Sequence, residues 1–359
     1  MAGDTLVIIV VGIGAVYLIY ALILNISRRE LPGKTSPAKK ISLIVSAKNE
    51  ERDLPRLLNS LTQLNYPPEN LEIILIDHRS TDNTGKLMQG FSAASRFQVK
   101  ILTVEGPPSE TSCKSEALIE GISAAAGELL VFTDAEVRFE PDWLLALTGE
   151  IWNYDLAGGP VVIEGGDFFQ RMQRLDWLFL GAAGAGLAGM NQAQTVFGKN
   201  MAVTRQLYEK SGGFTEGKVL TEDLSLVQRC RGKGLIGYTL KKECAVYSLA
   251  ADNSRQFFRQ RIRWIKGAMG EIAFAGWTAL AMGFIINLTA LYCAFAGAGY
   301  FIALMAIKSL GDWMVLHEPA KNLGQPGDQW LIPLYSLYSA VYQIILTALL
   351  PLARNLCWR

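Results

Sequence analysis

The sequence predicts an α/β protein with a mostly parallel sheet, flanked by transmembrane helices. Three observations carry this. Between residues 41 and 136, short apolar runs alternate with segments whose leucines recur at helical spacing. Uncharged apolar stretches long enough to cross a bilayer stand toward both ends of the chain. Acidic residues close the second and fourth apolar runs, at the strand ends where an open α/β sheet gathers its ligands.

Composition narrows the field. Half of the 359 residues are hydrophobic and the net charge is +1, which excludes the basic surface of a nucleic-acid binder. Five cysteines without CxxC spacing argue for reduced thiols, not a disulfide framework or a zinc site. With only His78 and His317 present, histidine metal sites and Ser-His-Asp triads are nearly excluded.

Taken in order, Thr5 to Leu24 is an uncharged run that predicts a transmembrane helix within residues 1–27. Arg28, Arg29, Lys34, Lys39 and Lys40 follow, and Pro32, Gly33 and Pro37 make 28–40 a basic linker. By the positive-inside rule, the N-terminus then lies outside and the following domain in the cytosol. Residues 41–46 form a strand, followed by a helix carrying Leu54, Leu57, Leu58 and Leu61. A second strand runs from Ile73 to Asp77, a third over 99–104, and a helix from Lys114 to Ala125. The fourth strand, in the stretch Glu128 to Glu136, ends in the two carboxylates Asp134 and Glu136 with Ala135 between them. No GxGxxG follows the first strand, so a dinucleotide fingerprint is absent.

Farther on, Leu156 to Ile163 reads as a strand and Phe168 to Met190 as a long apolar helix whose Gly/Ala-rich end suits close packing or a membrane surface. A further strand is expected near Gly237–Val246. Residues 255–270 interleave arginines with Phe257, Phe258 and Trp264, the pattern of an amphipathic interfacial helix with cations outward and rings sunk. Ile272 to Ile307 is long enough for two short spans, and Trp330 to Leu350 for a third. Three C-terminal spans would leave Arg354 and Arg359 outside, against the positive-inside rule, so one segment is expected to be re-entrant or interfacial.

Asp134 and Glu136 are the leading candidates for a site. Mg²⁺ is often held by one or two carboxylates plus substrate phosphates, so a strand-end DxE suits a metal–diphosphate site. Read alone, it is as well a polar loop after a core strand. Asp223, in Thr221-Glu222-Asp223, reads alone as an N-cap or surface carboxylate. Lys114 reads alone as a solvated helix residue, and Arg263-Trp264 as a membrane-interface anchor.

The ordered set changes these readings. Asn49-Glu50, Asp77…Ser80-Thr81-Asp82, Lys114…Ala117, Phe132-Thr133-Asp134-Ala135-Glu136, Gly198…Asn200, Gly213-Phe214, Thr221-Glu222-Asp223 and Gln260-Arg261-Ile262-Arg263-Trp264 together resemble the membrane-bound family 2 glycosyltransferases. The resemblance covers roughly residues 41–267 and implies a GT-A catalytic domain at 41–254. An interface helix with QxxRW at 255–270 and a C-terminal region of two to three transmembrane helices at 271–359 would follow it. Two departures stand out: His78 follows Asp77 where the family commonly has a second aspartate, and Asp134-Ala135-Glu136 replaces DxD.

The resemblance implies roles residue by residue. Asn49, Glu50, Asp77 and Lys114 would lie at the nucleotide, Asp134 at the donor ribose or metal, and Glu136 on Mg²⁺ or Mn²⁺. Asp223 would be the general base, Arg263 would neutralise the leaving diphosphate, and Gln260 and Trp264 would line the acceptor end. The implied enzyme is an inverting, metal-dependent hexosyltransferase of the cell membrane, using a UDP-sugar donor and a lipid acceptor. A processive synthase of the chitin, hyaluronan or cellulose type is the alternative, and an inactive scaffold with a degenerate metal motif a second.

Overall fold

The computed structural model describes residues 2–29, 40–106, 114–215 and 220–352. Most of the expected linker 28–40, together with Cys113, Arg354, Cys357 and Arg359, lies outside the described residues.

The chain begins with helix α1 (Ala2–Ile26) and enters the sheet at β1 (Ile41–Ala47). There follow α2 (Leu54–Gln63), β2 (Leu71–His78), α3 (Thr84–Ala94), β3 (Gln98–Val104), α4 (Lys114–Ser123) and β4 (Leu129–Asp134). Strands β1 to β4 pair in parallel in the order β3-β2-β1-β4, with Ile41 opposite both Leu71 and Leu129. Burial on both faces explains the apolar runs of β1, β2 and β4, while β3, at the sheet edge, is only partly covered. Alternate residues serve two cores: Leu43, Val45 and Val131 face one, and Ile44, Leu130 and Phe132 the other. Leu54, Leu57 and Leu61 of α2 pack into the first core at helical spacing.

The second half adds β5 (Arg138–Phe139), α5 (Trp143–Glu150), β6 (Leu156–Gly158), β7 (Val161–Ile163), α6 (Phe168–Gly189), β8 (Asn200–Thr204), α7 (Arg205–Ser211), α8 (Glu222–Cys230), β9 (Ile236–Tyr238) and β10 (Val246–Ser248). The main sheet continues antiparallel from β4 to β8, then through β6 to β9. A second sheet, β5-β10-β7, stands apart. The single strand expected over 156–163 is thus two strands in different sheets, broken at Gly159-Pro160. Asn200 fixes the break: fully buried, it donates to the carbonyls of Pro160 and Cys244, both at 2.8 Å, and accepts from the Trp143 indole at 3.0 Å. The expected strand near 237–246 divides likewise between β9 and β10.

Helices α9 (Ser254–Ala268), α10 (Phe274–Ala296), α11 (Ala298–Asn322) and α12 (Ile332–Leu349) complete the fold. Among the described residues, four segments are long and apolar enough to cross a membrane: Asp4–Ile26, Phe274–Ala296, Ala298–Asn322 and Pro326–Leu352. Many of their apolar side chains point outward, among them Ile8, Phe274 and Phe295. The two short spans expected within 272–307 are full-length helices broken at Gly297, and α11 runs on past Ile307. It accommodates charge because Lys308 and Asp312 pair one turn apart at 2.7 Å. Close packing ties α1 to α6: a Cβ on Gly189 would meet the Ser27 carbonyl oxygen at 1.7 Å, and one on Gly186 the Leu24 carbonyl oxygen at 2.4 Å.

The amphipathic reading of α9 holds in pattern but not in partner. Its apolar face meets protein: Phe257 is buried against Phe169, Tyr338 and Tyr342. Arg261, expected to point outward, is buried, and its guanidinium bonds Asp176 of α6 at 2.5 and 3.0 Å. Asp176, buried and the lone carboxylate of α6, draws the arginine inward, since a buried charge requires a partner.

Candidate active site

A cavity of about 1280 Å³ opens at the carboxyl end of the main sheet. Of the residues singled out in the sequence, Glu50, Lys114, Asp134, Glu136, Asp223, Gln260, Arg263 and Trp264 line it together. They come from the ends of β1 and β4, from the start of α4 and α8, and from α9.

Asp134 ends β4, and its carboxylate meets the Lys114 ammonium, which also lies 3.2 Å from Glu222. Burial alone would push the Asp134 carboxyl up, but Lys114 and Lys199 more than offset this and hold it below the usual range. Burial likewise works against the Lys114 ammonium, yet Asp134 and Glu222 raise its pKa well above that of a free lysine. Glu136, past the turn, accepts from Lys199 Nζ at 2.6 Å and from the Ser248 hydroxyl at 2.9 Å. Glu50 is pushed up to about 7 by burial and by repulsion from Glu136 and Asp134. Around these groups the cavity holds carboxylates close enough to compete for positive charge.

Asp223 is no N-cap. Thr221 holds that position, and Asp223 sits inside the first turn of α8. Its carboxylate accepts from the amides of Gly198 and Leu224, both at 2.8 Å. A Cβ at Gly198 would stand 3.1 Å from Asp223 Cβ, so glycine there lets the carboxylate approach the chain. Burial, then the neighbouring Glu222 charge, raises Asp223 to about 6, poised for proton uptake near neutral pH.

The α9 residues close one side. Arg263 donates to the Leu220 carbonyl at 2.8 Å, and Gln260 accepts from Arg261 at 2.7 Å. Trp264 meets Trp177 of α6 edge to face at 4.9 Å and is covered by the Arg261 guanidinium at 4.3 Å.

Two expected nucleotide residues stand off the cavity wall. Asp77 accepts the Ser80 amide at 3.0 Å, and Asn49 accepts the Thr81 amide at 2.8 Å. These bonds knit the loops after β1 and β2 just behind Glu50. His78, beside Asp77, is buried, with Nε2 3.4 Å from Glu116.

Among the cavity residues given no role in the sequence reading are Lys199, Glu222, Trp177 and Asp176. Lys199 is the residue skipped between Gly198 and Asn200, and a lysine directly before the buried strand β8 was the available signal. Asp176 was visible as the lone carboxylate of α6. Only the fold shows that Trp177 and Glu222 face the same space.

Asp134 and Glu136 have the hard oxygen donors that Mg²⁺ or Mn²⁺ prefers, and they already draw an ammonium into place. No group of three or more His, Cys, Asp or Glu suited to a metal occurs among the described residues, so a cation there would complete its shell with phosphate oxygens and water.

Comparison with known proteins agrees with this architecture. The pattern of Glycosyl transferase family 2 matches residues 42–212, and that of Glycosyl transferase family group 2 matches residues 129–358. A probable glycosyltransferase of Bacillus subtilis, YdaM, is 28% identical over 64% of this chain and 55% of its own length. A beta-monoglucosyldiacylglycerol synthase of Nostoc sp. is 25% identical over 63% of this chain and 48% of its own. The matches thus span about half the length of these curated relatives. Among solved structures, a mannosyltransferase from Pyrobaculum calidifontis in complex with GDP-Man and Mn²⁺ superposes with a TM-score of 0.59. That likeness, at 16% identity, covers 94% of this chain and 99% of the other, and shows the shared GT-A fold. With the second family pattern covering well over half of the sequence, the chain belongs to the family 2 glycosyltransferases.

Proposed function

We propose that this enzyme transfers a hexose from a UDP-sugar to a hydroxyl of a membrane lipid, with inversion at the anomeric carbon. One observation carries the reading. The cavity that holds Asp134, Glu136 and Asp223 continues without a wall between the membrane-length helices, where Tyr17, Met282, Ile286 and Leu346 line it. A lipid lying among those helices can bring its headgroup to the donor past Lys308 and Asp312, which neutralise each other in the same lining. The Nostoc relative, named for a glucosylated diacylglycerol, is consistent with that class of acceptor.

In this reading Asp223 takes the proton of the acceptor hydroxyl as its oxygen attacks the anomeric carbon. The raised pKa suits that task, and a positioned base contributes typically 10²–10⁴-fold. Asp134 and Glu136 would hold the divalent cation, which supplies positive charge to the departing diphosphate. Arg263 and Lys114 face the same space and add to that charge. Glu50, with Asn49 and Asp77 behind it, borders the nucleotide, and Gln260 and Trp264 border the acceptor. A base on one side and a stabilised leaving group on the other make a single displacement, hence inversion. The catalytic domain lies in the cytosol, on the side of Arg28 and Arg29.

The test is incubation of the purified protein with radiolabelled UDP-sugars and a total lipid extract. Labelled lipid is expected. Labelled polymer, which separates on the same chromatogram, would favour a processive synthase, and no label in either fraction would sink the transfer reading. For topology, an impermeant thiol reagent should fail to label a cysteine placed in residues 85–95 of intact cells; labelling there would place the domain outside.

A further inference from the structure

Lys199 is held more tightly than a lysine lining a cavity needs to be. Its residue is buried, and its ammonium bonds Glu136 at 2.6 Å and the Ser248 hydroxyl at 3.0 Å, and stands 3.8 Å from Asp134. The same Ser248 hydroxyl donates to Glu136 at 2.9 Å, closing a three-membered ring of contacts. Below, the Trp177 ring lies 5.0 Å from the ammonium, on the cation-accepting face. The backbone is fixed as well, since the Lys199 carbonyl accepts the Thr133 hydroxyl at 2.9 Å, beside Asp134 in β4. Ser248 ends β10 and Thr133 lies in β4, so the two sheets converge on this one side chain.

We infer that Lys199 is an internal cation that competes with the divalent metal for Glu136 and Asp134. The inference rests on the metal reading of those two carboxylates given above. An ammonium and a divalent cation repel each other, and the repulsion is strong where water is scarce. The same oxygens therefore serve one or the other. In the donor-free protein the site is neutralised from within, and metal enters only by displacing Lys199. A nucleotide diphosphate offers the displaced ammonium new anionic partners, so donor and metal assist each other's binding. Metal occupancy becomes conditional on donor, which keeps the protein from holding a cation it cannot use.

The experiment is Mn²⁺ binding to the full-length, detergent-purified protein without donor, followed by electron paramagnetic resonance of free Mn²⁺. Lys199→Met should bind Mn²⁺ about tenfold more tightly than wild type, or better. Lys199→Arg, which keeps the positive charge, should bind as weakly as wild type and controls for folding. Adding Glu136→Gln to Lys199→Met should abolish the gain. Equal or weaker Mn²⁺ affinity in Lys199→Met overturns the competition, provided its unfolding remains cooperative; if it does not, Lys199→Gln carries the same expectation. Absence of Mn²⁺ binding in every variant, with UDP present or not, overturns it too and removes the metal reading. Failure of lipid transfer would touch neither result, because the readout uses no acceptor.

Discussion

Two clusters of buried charge divide the labour of this molecule. One surrounds the sheet ends, where Lys114 and Lys199 are shared among Asp134, Glu136 and Glu222. The other lies within the membrane-length helices, where Lys308 bonds Asp312 at 2.7 Å and Ser339 at 2.9 Å. There the Asp312 carboxylate also accepts from Ser336 at 2.5 Å and from Tyr17. In the helical cluster each charge has one opposite charge and the rest of its needs are met by hydroxyls. At the sheet ends more carboxylates than ammoniums gather, and two of them, on Glu50 and Asp223, are pushed up toward neutrality. A closed set of partners holds helices together, whereas an unbalanced one is ready to accept a ligand.

Breaking the closed cluster should give the largest effect. Lys308→Met leaves Asp312 buried without its cation, and loss of one partner of a buried pair costs about 3–5 kcal/mol. Thermal unfolding in detergent should show it as a large fall in Tm; a shift of a degree or two would mean that the pair is not structural. Asp223→Asn should leave donor binding nearly unchanged while transfer falls by at least about 10²-fold; its single amide oxygen can accept from only one of the Gly198 and Leu224 amides, so a loss of about 1–3 kcal/mol in stability should accompany it. Transfer within a few-fold of wild type would remove Asp223 from the mechanism and make Glu222 the next carboxylate to test. Glu136→Gln should abolish metal-dependent UDP binding while Glu136→Asp keeps activity, which isothermal titration and a turnover assay can compare. If EDTA leaves turnover undiminished, the lysines and Arg263 alone must carry the leaving-group charge.

The smallest effect is a pH limb. Because Asp223 is raised to about 6, the ionised base is lost as pH falls through that value. The logarithm of kcat/KM should then drop with unit slope below about pH 6. The residual activity of Asp223→Asn should lack this limb; its persistence would assign the proton to another group, with Glu50 first in line.

The same division explains what could be read from the sequence. Strands β1, β2 and β4 follow from local apolar runs because both their faces are buried, and helix α4 follows from apolar positions on one face. Their carboxyl ends, and with them Asp134 and Glu136, were therefore in view, and the ordered motif set reached Asp223 and Arg263. What escaped depends on partners far away in sequence. Residues 156–163 look like one strand until Asn200 binds the Pro160 carbonyl from 40 positions on. The end of α11 was hidden because Lys308 and Asp312 read as charges that stop a span, and their mutual neutralisation is a property of the helix. Lys199 was passed over inside its own motif, since no spacing rule indicates that β10 will bring Ser248, and the turn after β4 Glu136, to its ammonium.

The contact of Gly186 and Gly189 with the backbone at Leu24 and Ser27 has a mechanical consequence. A catalytic domain hung from an anchor by a loose tether can tilt and drift, and its distance from the bilayer is an average. Here α6 carries Asp176 and Trp177 on one stretch and grips α1 on another, so the active-site wall and the anchor are a single rigid lever. With α1 in a bilayer, the height of the cavity mouth above the lipid headgroups would be set by helix packing, to within the play of two interlocked backbones. Removing α1 would strip α6 of that brace, and any side chain larger than hydrogen at position 189 would pry the lever from its mount.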